Sequence, residues 1–307
     1  MKIVFMGTPD FAVSILDAVA KAGHEIVLIC TQPDKPRGRS GKLAPSDVKV
    51  WALEHEIEVF QPKKIREPES IEFLSKYEAD VFLVAAFGQI LPKAILDMPR
   101  LGCVNVHASL LPKYRGAAPI QWAVINGEKV AGVTTMMMGE GLDNGDMLLK
   151  AEIELDKEET GGSLFDRLAI LGGELAVTTL EKLNAGEITP IPQNEAEATH
   201  VGMIKKEMGS IDFSRSAIEL ERLMRGLDPW PSAYTLLDGK NLKLFRADIV
   251  EKSGKPGEIL DVNKDGFTVA SGKDALFIKE LQIEGKKRMK AGDFLRGYSL
   301  SVGTILG

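Results

Sequence analysis

The chain has 307 residues, of which 44% are hydrophobic and 27% charged, and carries a net charge of −6. That balance fits a soluble globular chain with room for two domains. No run approaches 18 uninterrupted apolar residues, which excludes a membrane-spanning helix, and the acidic balance means that any nucleic-acid binding must rest on local patches.

The opening Met1-Lys2-Ile3-Val4-Phe5-Met6-Gly7 is a short apolar run that goes straight into a turn. It lacks the longer apolar region and small-residue cleavage site of a signal peptide and is expected to be a first strand in a cytoplasmic protein. Residues 10–22 place Phe11, Ile15, Leu16, Val19 and Ala20 at helical spacing, and residues 26–30 form the next apolar run. The turn Gly7-Thr8-Pro9-Asp10-Phe11 stands where a phosphate loop would be, yet it has one glycine, and Pro9 lacks a backbone donor. Without G-x-G-x-x-G, neither a nicotinamide nor a flavin cofactor is expected.

After the second strand comes Asp34-Lys35-Pro36-Arg37-Gly38-Arg39-Ser40-Gly41-Lys42, with four positive charges against one negative. Gly and Pro argue against a regular element here. A solvated surface loop is the plain reading; the alternative is a flexible segment that orders on nucleic acid. Residues 81–86 and 104–107 continue the alternation of strand and helix, so the first two-thirds is expected to be an α/β domain with a Rossmann-like, mostly parallel sheet. Cys30 and Cys103 both fall in strand-like runs and are expected to be buried thiols. With four scattered His and no paired Cys, no metal site is expected.

The richest stretch is Asn105-Val106-His107-Ala108-Ser109-Leu110-Leu111-Pro112. Residues two apart on a strand share a face, so Asn105 and His107 stand side by side. The strand over residues 130–138 then trails into Gly141-Leu142-Asp143-Asn144-Gly145-Asp146. Asn can hydrogen-bond a developing oxyanion, His can carry a proton, and Asp can orient the His, which together suit group transfer. For an isolated N-x-H tripeptide, a common pattern, the plain reading is a polar pair capping a loop. If the sheet is of the open α/β kind, its ligands bind outside the carboxyl ends of the strands, where Thr8, Phe87, Asn105 to Ser109 and Gly139 to Asp143 are expected to lie.

A long helix is expected over residues 162–184, closed by Gly186. Residues 187–210, with Thr189-Pro190-Ile191-Pro192-Gln193-Asn194, hold little that could be buried and suggest a linker. One helix over 217–227 then precedes strand candidates at 233–237, 242–250, 257–262, 267–270 and 276–283. Short strands separated by Asp238-Gly239 and Asp265-Gly266 turns fit a small C-terminal β-barrel of the oligonucleotide-binding type. The expected division is 1–187, a linker at 188–206 and a barrel at 207–307.

Taken together, Asn105-x-His107, Ser109-Leu110-Leu111-Pro112 with Arg115-Gly116-Ala117-Ala118-Pro119, and Gly141-Leu142-Asp143-x-Gly145-Asp146 resemble the folate-dependent formyltransferases. Gly7-Thr8-Pro9-Asp10-Phe11, the basic loop, and Trp230-Pro231 opening the second domain resemble the branch of that family that acts on charged initiator tRNA. The resemblance implies a monomer that transfers a formyl group from 10-formyltetrahydrofolate to the α-amine of initiator methionyl-tRNA. It implies catalytic roles for Asn105, His107 and Asp143, and folate contacts from Ser109, Leu110, Leu111 and Pro112, with Phe87, Gly88, Ile90 and Leu91 at the pterin. It also implies tRNA contacts from Lys35, Arg37, Arg39 and Lys42, with Arg39 in the key position, and no metal. Two alternatives stay open: a formyltransferase acting on a small amine such as an amino sugar or ribonucleotide, and a tRNA-binding protein without catalysis.

Overall fold

Nearly every apolar run read from the sequence becomes a strand. The computed structural model describes residues 1–37 and 41–307. In chain order the first elements are β1 (Lys2–Gly7), α1 (Asp10–Lys21), β2 (Glu25–Cys30), β3 (Lys35–Arg37), β4 (Lys42–Ala44), α2 (Asp47–Glu54), β5 (Val59–Phe60), α3 (Pro68–Leu74), β6 (Val81–Ala85) and α4 (Lys93–Leu96). Then come β7 (Cys103–His107), β8 (Arg115–Gly116), α5 (Pro119–Ile125), β9 (Val130–Met137), β10 (Met147–Glu154), α6 (Gly161–Ala185) and β11 (His200–Val201). Seven strands form one sheet in the order β10-β9-β7-β6-β1-β2-β5. The five from β7 to β5 run parallel, whereas β9 lies antiparallel to β7, and β10 antiparallel to β9. β10 went unread because its residues alternate with the charged Lys150, Glu152 and Glu154 on an exposed face.

The helical layer over β7 and β9 depends on small residues. Thr135 on β9 hydrogen-bonds Thr179 of α6 at 2.8 Å, and Gly172 of α6 sits against Val106 and Ile15. A Cβ on the next residue, Gly173, would lie 2.8 Å from the Ala18 methyl and 3.2 Å from the Ser14 carbonyl. The glycine pair therefore lets α6 approach α1 more closely than any larger residue could. Gly186, at φ +71°, ends α6 in the left-handed region.

The chain separates into two units. The first is Met1–Pro119, Val130–Glu154 and Phe165–Val201; the second is Ile120–Lys129, Leu155–Leu164 and Gly202–Gly307. The second unit contains α7 (Ala217–Gly226), β12 (Ala233–Leu237), β13 (Lys240–Val250), β14 (Ile259–Val262), β15 (Phe267–Ala270), β16 (Ala275–Ile283), β17 (Met289–Lys290) and α8 (Ala291–Gly297). Its strands pair antiparallel in the order β12-β13-β16-β15-β14, with β17 on β16. Register shifts at Leu244 and Arg246 mark bulges, which bend β13 and increase its twist. Leu220 and Met224 of α7 join Leu244, Phe267, Ile278 and Leu281 in its core. Among the described residues, no helix is long and apolar enough to cross a membrane.

The basic loop departs from expectation. Lys35–Arg37 pairs with Lys42–Ala44 as a short antiparallel ribbon, with Pro36 opposite Leu43. A two-stranded ribbon has only edges, where proline is tolerated, so Pro36 does not prevent a regular element.

Candidate active site

β7 is the strand from which the site is built. It is buried along its whole length between β6 and β9, and Asn105 and His107 are 9% and 7% exposed. Burial at this level requires partners for the imidazole, and both ring nitrogens face oxygen atoms. Nε2 lies 3.0 Å from the Tyr114 carbonyl, which can only accept, so Nε2 carries a proton. Nδ1 faces Oδ1 of Asp143 at 3.8 Å and is therefore the nitrogen left to take up and release a proton. The other carboxylate oxygen, Oδ2, accepts from the Gly116 backbone N–H at 2.9 Å. Asn105 stands on the same face, and its carboxamide is not used by any of these bonds.

The route by which Asp143 arrives differs from the one expected. Because β9 is antiparallel to β7, its Met137 pairs with Val104, at the N-terminal end of β7, and its Thr134 pairs with His107. The Gly-rich loop thus leaves the sheet at the end opposite the carboxyl ends of the parallel strands and has to run back along β7 to reach His107. Glycine permits this return. A Cβ on Gly145 would lie 1.8 Å from the Met137 carbonyl oxygen, and Asp143 itself has φ +48°.

The residues assigned to folate divide into two sorts. Phe87 and Leu91 are core residues, packed with Val84 and Met138, and the Phe87 carbonyl accepts from Thr8 Oγ1 and Gln32 Nε2. Gly88 turns the chain at φ +81°, and Ile90 is 69% exposed. Ser109 spends its hydroxyl on the Lys113 carbonyl at 2.7 Å, while its own carbonyl accepts from Thr134. Leu111 is fully buried with Met136 and Met147, and Pro112 is buried beside it. Leu110 is partly exposed. Of these side chains, Ile90 is exposed and Leu110 partly so, whereas those of Phe87, Leu91, Ser109, Leu111 and Pro112 are buried.

Lys35 and Lys42 are exposed on the ribbon, and Asp34 at its root accepts from Gln61 at 2.7 Å and from Lys49 at 2.9 Å. Those bonds hold the Asp34 carboxyl below its usual range, the Gln61 amide contributing most. The one acid of the loop is thus already neutralised by Lys49. Arg39, with Gly38 and Ser40, lies outside the described residues, as does the Arg37 side chain.

In the second unit, Arg288 is not available to a polyanion, although it belongs to the basic run Lys286-Lys287-Arg288. It binds Asp228 and Glu280 and lies 4.0 Å over the Phe245 ring. It borders a cavity of about 370 Å³ whose other cations are likewise paired: Arg225 with Glu221, Arg246 with Glu158, and Lys279 with Asp248.

Sequence reasoning missed Gln193 and Thr199 entirely. Gln193 Nε2 donates to the carbonyls of both Asp143 and Gly145 at 2.8 Å, and Thr199 Oγ1 accepts from the Tyr114 N–H at 2.8 Å. Their partners lie 48 to 85 residues away in sequence, which no local pattern reports. The available signal was Arg115, a cation within a buried motif that must find acceptors somewhere.

Two family models match the chain: formyl transferase over residues 1–180, and formyl transferase C-terminal domain over residues 203–299. A methionyl-tRNA formyltransferase of Lachnospira eligens is 55% identical over 314 residues, covering 100% of both chains. One of Citrifermentans bemidjiense is 53% identical over 307 residues, covering 100% of this chain and 96% of its own. Among solved structures, a sugar 3N-formyl transferase crystallised in the presence of dTDP and 5-N-formyl-THF superposes with a TM-score of 0.67 at 18% identity. That match covers 94% of this chain and 99% of the other, a likeness of fold. Matched by both domain models and more than half identical to such relatives along its whole length, the chain belongs to the formyl transferase family.

Proposed function

We propose that the chain transfers the formyl group of 10-formyltetrahydrofolate to the α-amine of methionyl initiator tRNA, in the cytoplasm and as a monomer. One observation carries this reading: Asn105 and the His107–Asp143 pair converge on one strand face in a chain that matches methionyl-tRNA formyltransferases from end to end.

The chemistry follows from the atoms. The neutral amine attacks the formyl carbon, a C–N bond forms, and the carbonyl oxygen takes negative charge. The Asn105 carboxamide is the donor for that oxygen, and losing such a donor costs about 10²–10³ in rate. The amine proton must leave and the folate nitrogen must gain one as its C–N bond breaks. In this reading Nδ1 of His107, which faces Asp143 at 3.8 Å, relays it. The α-amine, with an ordinary pKa of about 7.7–8.0, is neutral in roughly one molecule in ten to one in six at pH 7, and that fraction is the one that attacks. In this reading folate lies against Ile90, Leu110 and the backbone of Phe87, Gly88, Leu91, Ser109, Leu111 and Pro112. Lys35, Arg37, Arg39 and Lys42 meet tRNA, and residues 207–307 form a tRNA-binding domain.

The test is formyl transfer from 10-formyltetrahydrofolate to charged initiator tRNA, free methionine and small amines, in wild type and in His107→Ala. We expect transfer to charged tRNA to be far faster than to free methionine or small amines, and to be abolished in His107→Ala with tRNA binding retained. Faster transfer to an amino sugar or a ribonucleotide would assign the chain to small amines. Undiminished activity in His107→Ala would remove His107 from the chemistry.

A further inference from the structure

The two oxygen atoms that face His107 belong to segments without regular secondary structure of their own. Tyr114 lies at φ +60° and Asp143 at φ +48°, conformations that non-glycine residues adopt only when their surroundings impose them. In both cases the surroundings are the same stretch of chain, the run after α6. On the Tyr114 side, Thr199 Oγ1 accepts from the Tyr114 N–H at 2.8 Å, the Thr199 carbonyl accepts from the Arg115 N–H at 2.8 Å, and β11 pairs with β8. On the Asp143 side, the Gln193 amide donates to the carbonyls of Asp143 and Gly145 at 2.8 Å each. The Gln193 Oε1 in turn accepts from Arg115 Nε at 2.9 Å, and the Arg115 guanidinium closes on Glu195 at 2.7 and 3.0 Å. Arg115 is 2% exposed, so it is a fixed post rather than a surface side chain.

We infer that residues 191–201 are a strap that sets the His107–Asp143 geometry, with Gln193 as its positioning residue. This rests on the proposed roles of His107 and Asp143. Gln193 suits the task because an amide has one end of each polarity: its oxygen faces a cation and its nitrogen faces two carbonyls. A glutamate of the same shape would keep the bond to Arg115 and turn an oxygen toward two other oxygens. The strap would hold its place, and the catalytic loop would be pushed off it. Gln193 touches no reacting atom, so its effect has to pass through Asp143. A misplacement of about 1 Å in a catalytic group can cost on the order of 10² in rate.

The experiment compares wild type, Gln193→Glu, Gln193→Ala, Asp143→Asn and the double variant Gln193→Ala/Asp143→Asn in the full chain. kcat and KM are read for both substrates together with the thermal midpoint. We expect roughly 10- to 100-fold losses in kcat for both Gln193 variants, with each KM within about twofold of wild type. In the Asp143→Asn background, Gln193→Ala should then cost almost nothing more, because residues acting through one another are not additive. Losses confined to KM, losses that multiply in the double variant, or wild-type kcat in Gln193→Glu would overturn the inference while leaving the catalytic assignment intact. Near-wild-type kcat in Asp143→Asn would instead overturn the catalytic assignment on which it rests.

Discussion

Replacing Gly145 by alanine tests whether the return of the Asp143 loop along β7 depends on backbone contact. The added methyl would lie 1.8 Å from the Met137 carbonyl oxygen. To reach even 3.0 Å, the methyl and the oxygen must part by more than 1 Å. Met137 cannot yield, because it lies in β9 between β7 and β10, and its N–H is bonded to the Asp146 carbonyl at 2.8 Å. The loop has to move instead, which strains the Gly145 carbonyl bond to Gln193 and drags Asp143, two residues away, from its position opposite His107. Overpacking of this kind costs about 1–3 kcal/mol of stability, and a shift of about 1 Å at Asp143 corresponds to about 10² in kcat. Gly139, in the same loop, is the control: its added methyl would have its nearest neighbour, Asn144 Oδ1, at 3.5 Å, an ordinary contact. The assay is kcat at saturating folate and charged tRNA, with urea unfolding alongside. If Gly145→Ala keeps kcat within about twofold of wild type at unchanged stability, or if Gly139→Ala is equally damaging, the account of the loop is wrong.

The sequence states the sheet more fully than it states the site. Alternating apolar runs and amphipathic helices are signals carried by neighbouring residues, so β1, β2, β6, β7 and the antiparallel strands of the second unit could be read to within a few residues. Strand direction has no such signal. Nothing in residues 130–137 says that they run antiparallel to β7, although that direction decides from which end Asp143 must come. The shared face of Asn105 and His107 follows from a spacing of two, whereas the Tyr114 carbonyl that takes Nε2 is a backbone atom that any residue would supply. The polar run with Gln193 and Glu195 has a linker's composition, because exposed strap and free linker differ only in what they touch. Glu195 is exposed, yet its bond to Arg115 holds its carboxyl below the usual range.

Two further outcomes are expected. Neutralising Lys35, Arg37, Arg39 and Lys42 together should flatten the salt dependence of the tRNA reaction, because fewer counterions are released on binding, and should leave transfer to a small amine unchanged. Equal losses on both substrates would mean that the loop supports the folate site. The last outcome concerns alkaline stability. Burial pushes the Cys103 thiol up to about 12 and the Cys30 thiol further still, from an ordinary value near 9. Below about pH 9 both thiols are protonated in the folded and unfolded chain alike, so their contribution to stability is fully present. Above that pH the unfolded chain ionises first and gains free energy that the fold cannot match. Stability then falls by roughly 1 kcal/mol per pH unit for each thiol until the folded-state value is reached. Urea unfolding from about pH 8 to about pH 11 should show that decline in wild type and a shallower one in Cys103→Ala. Parallel declines in the two proteins would show that the alkaline sensitivity has another source.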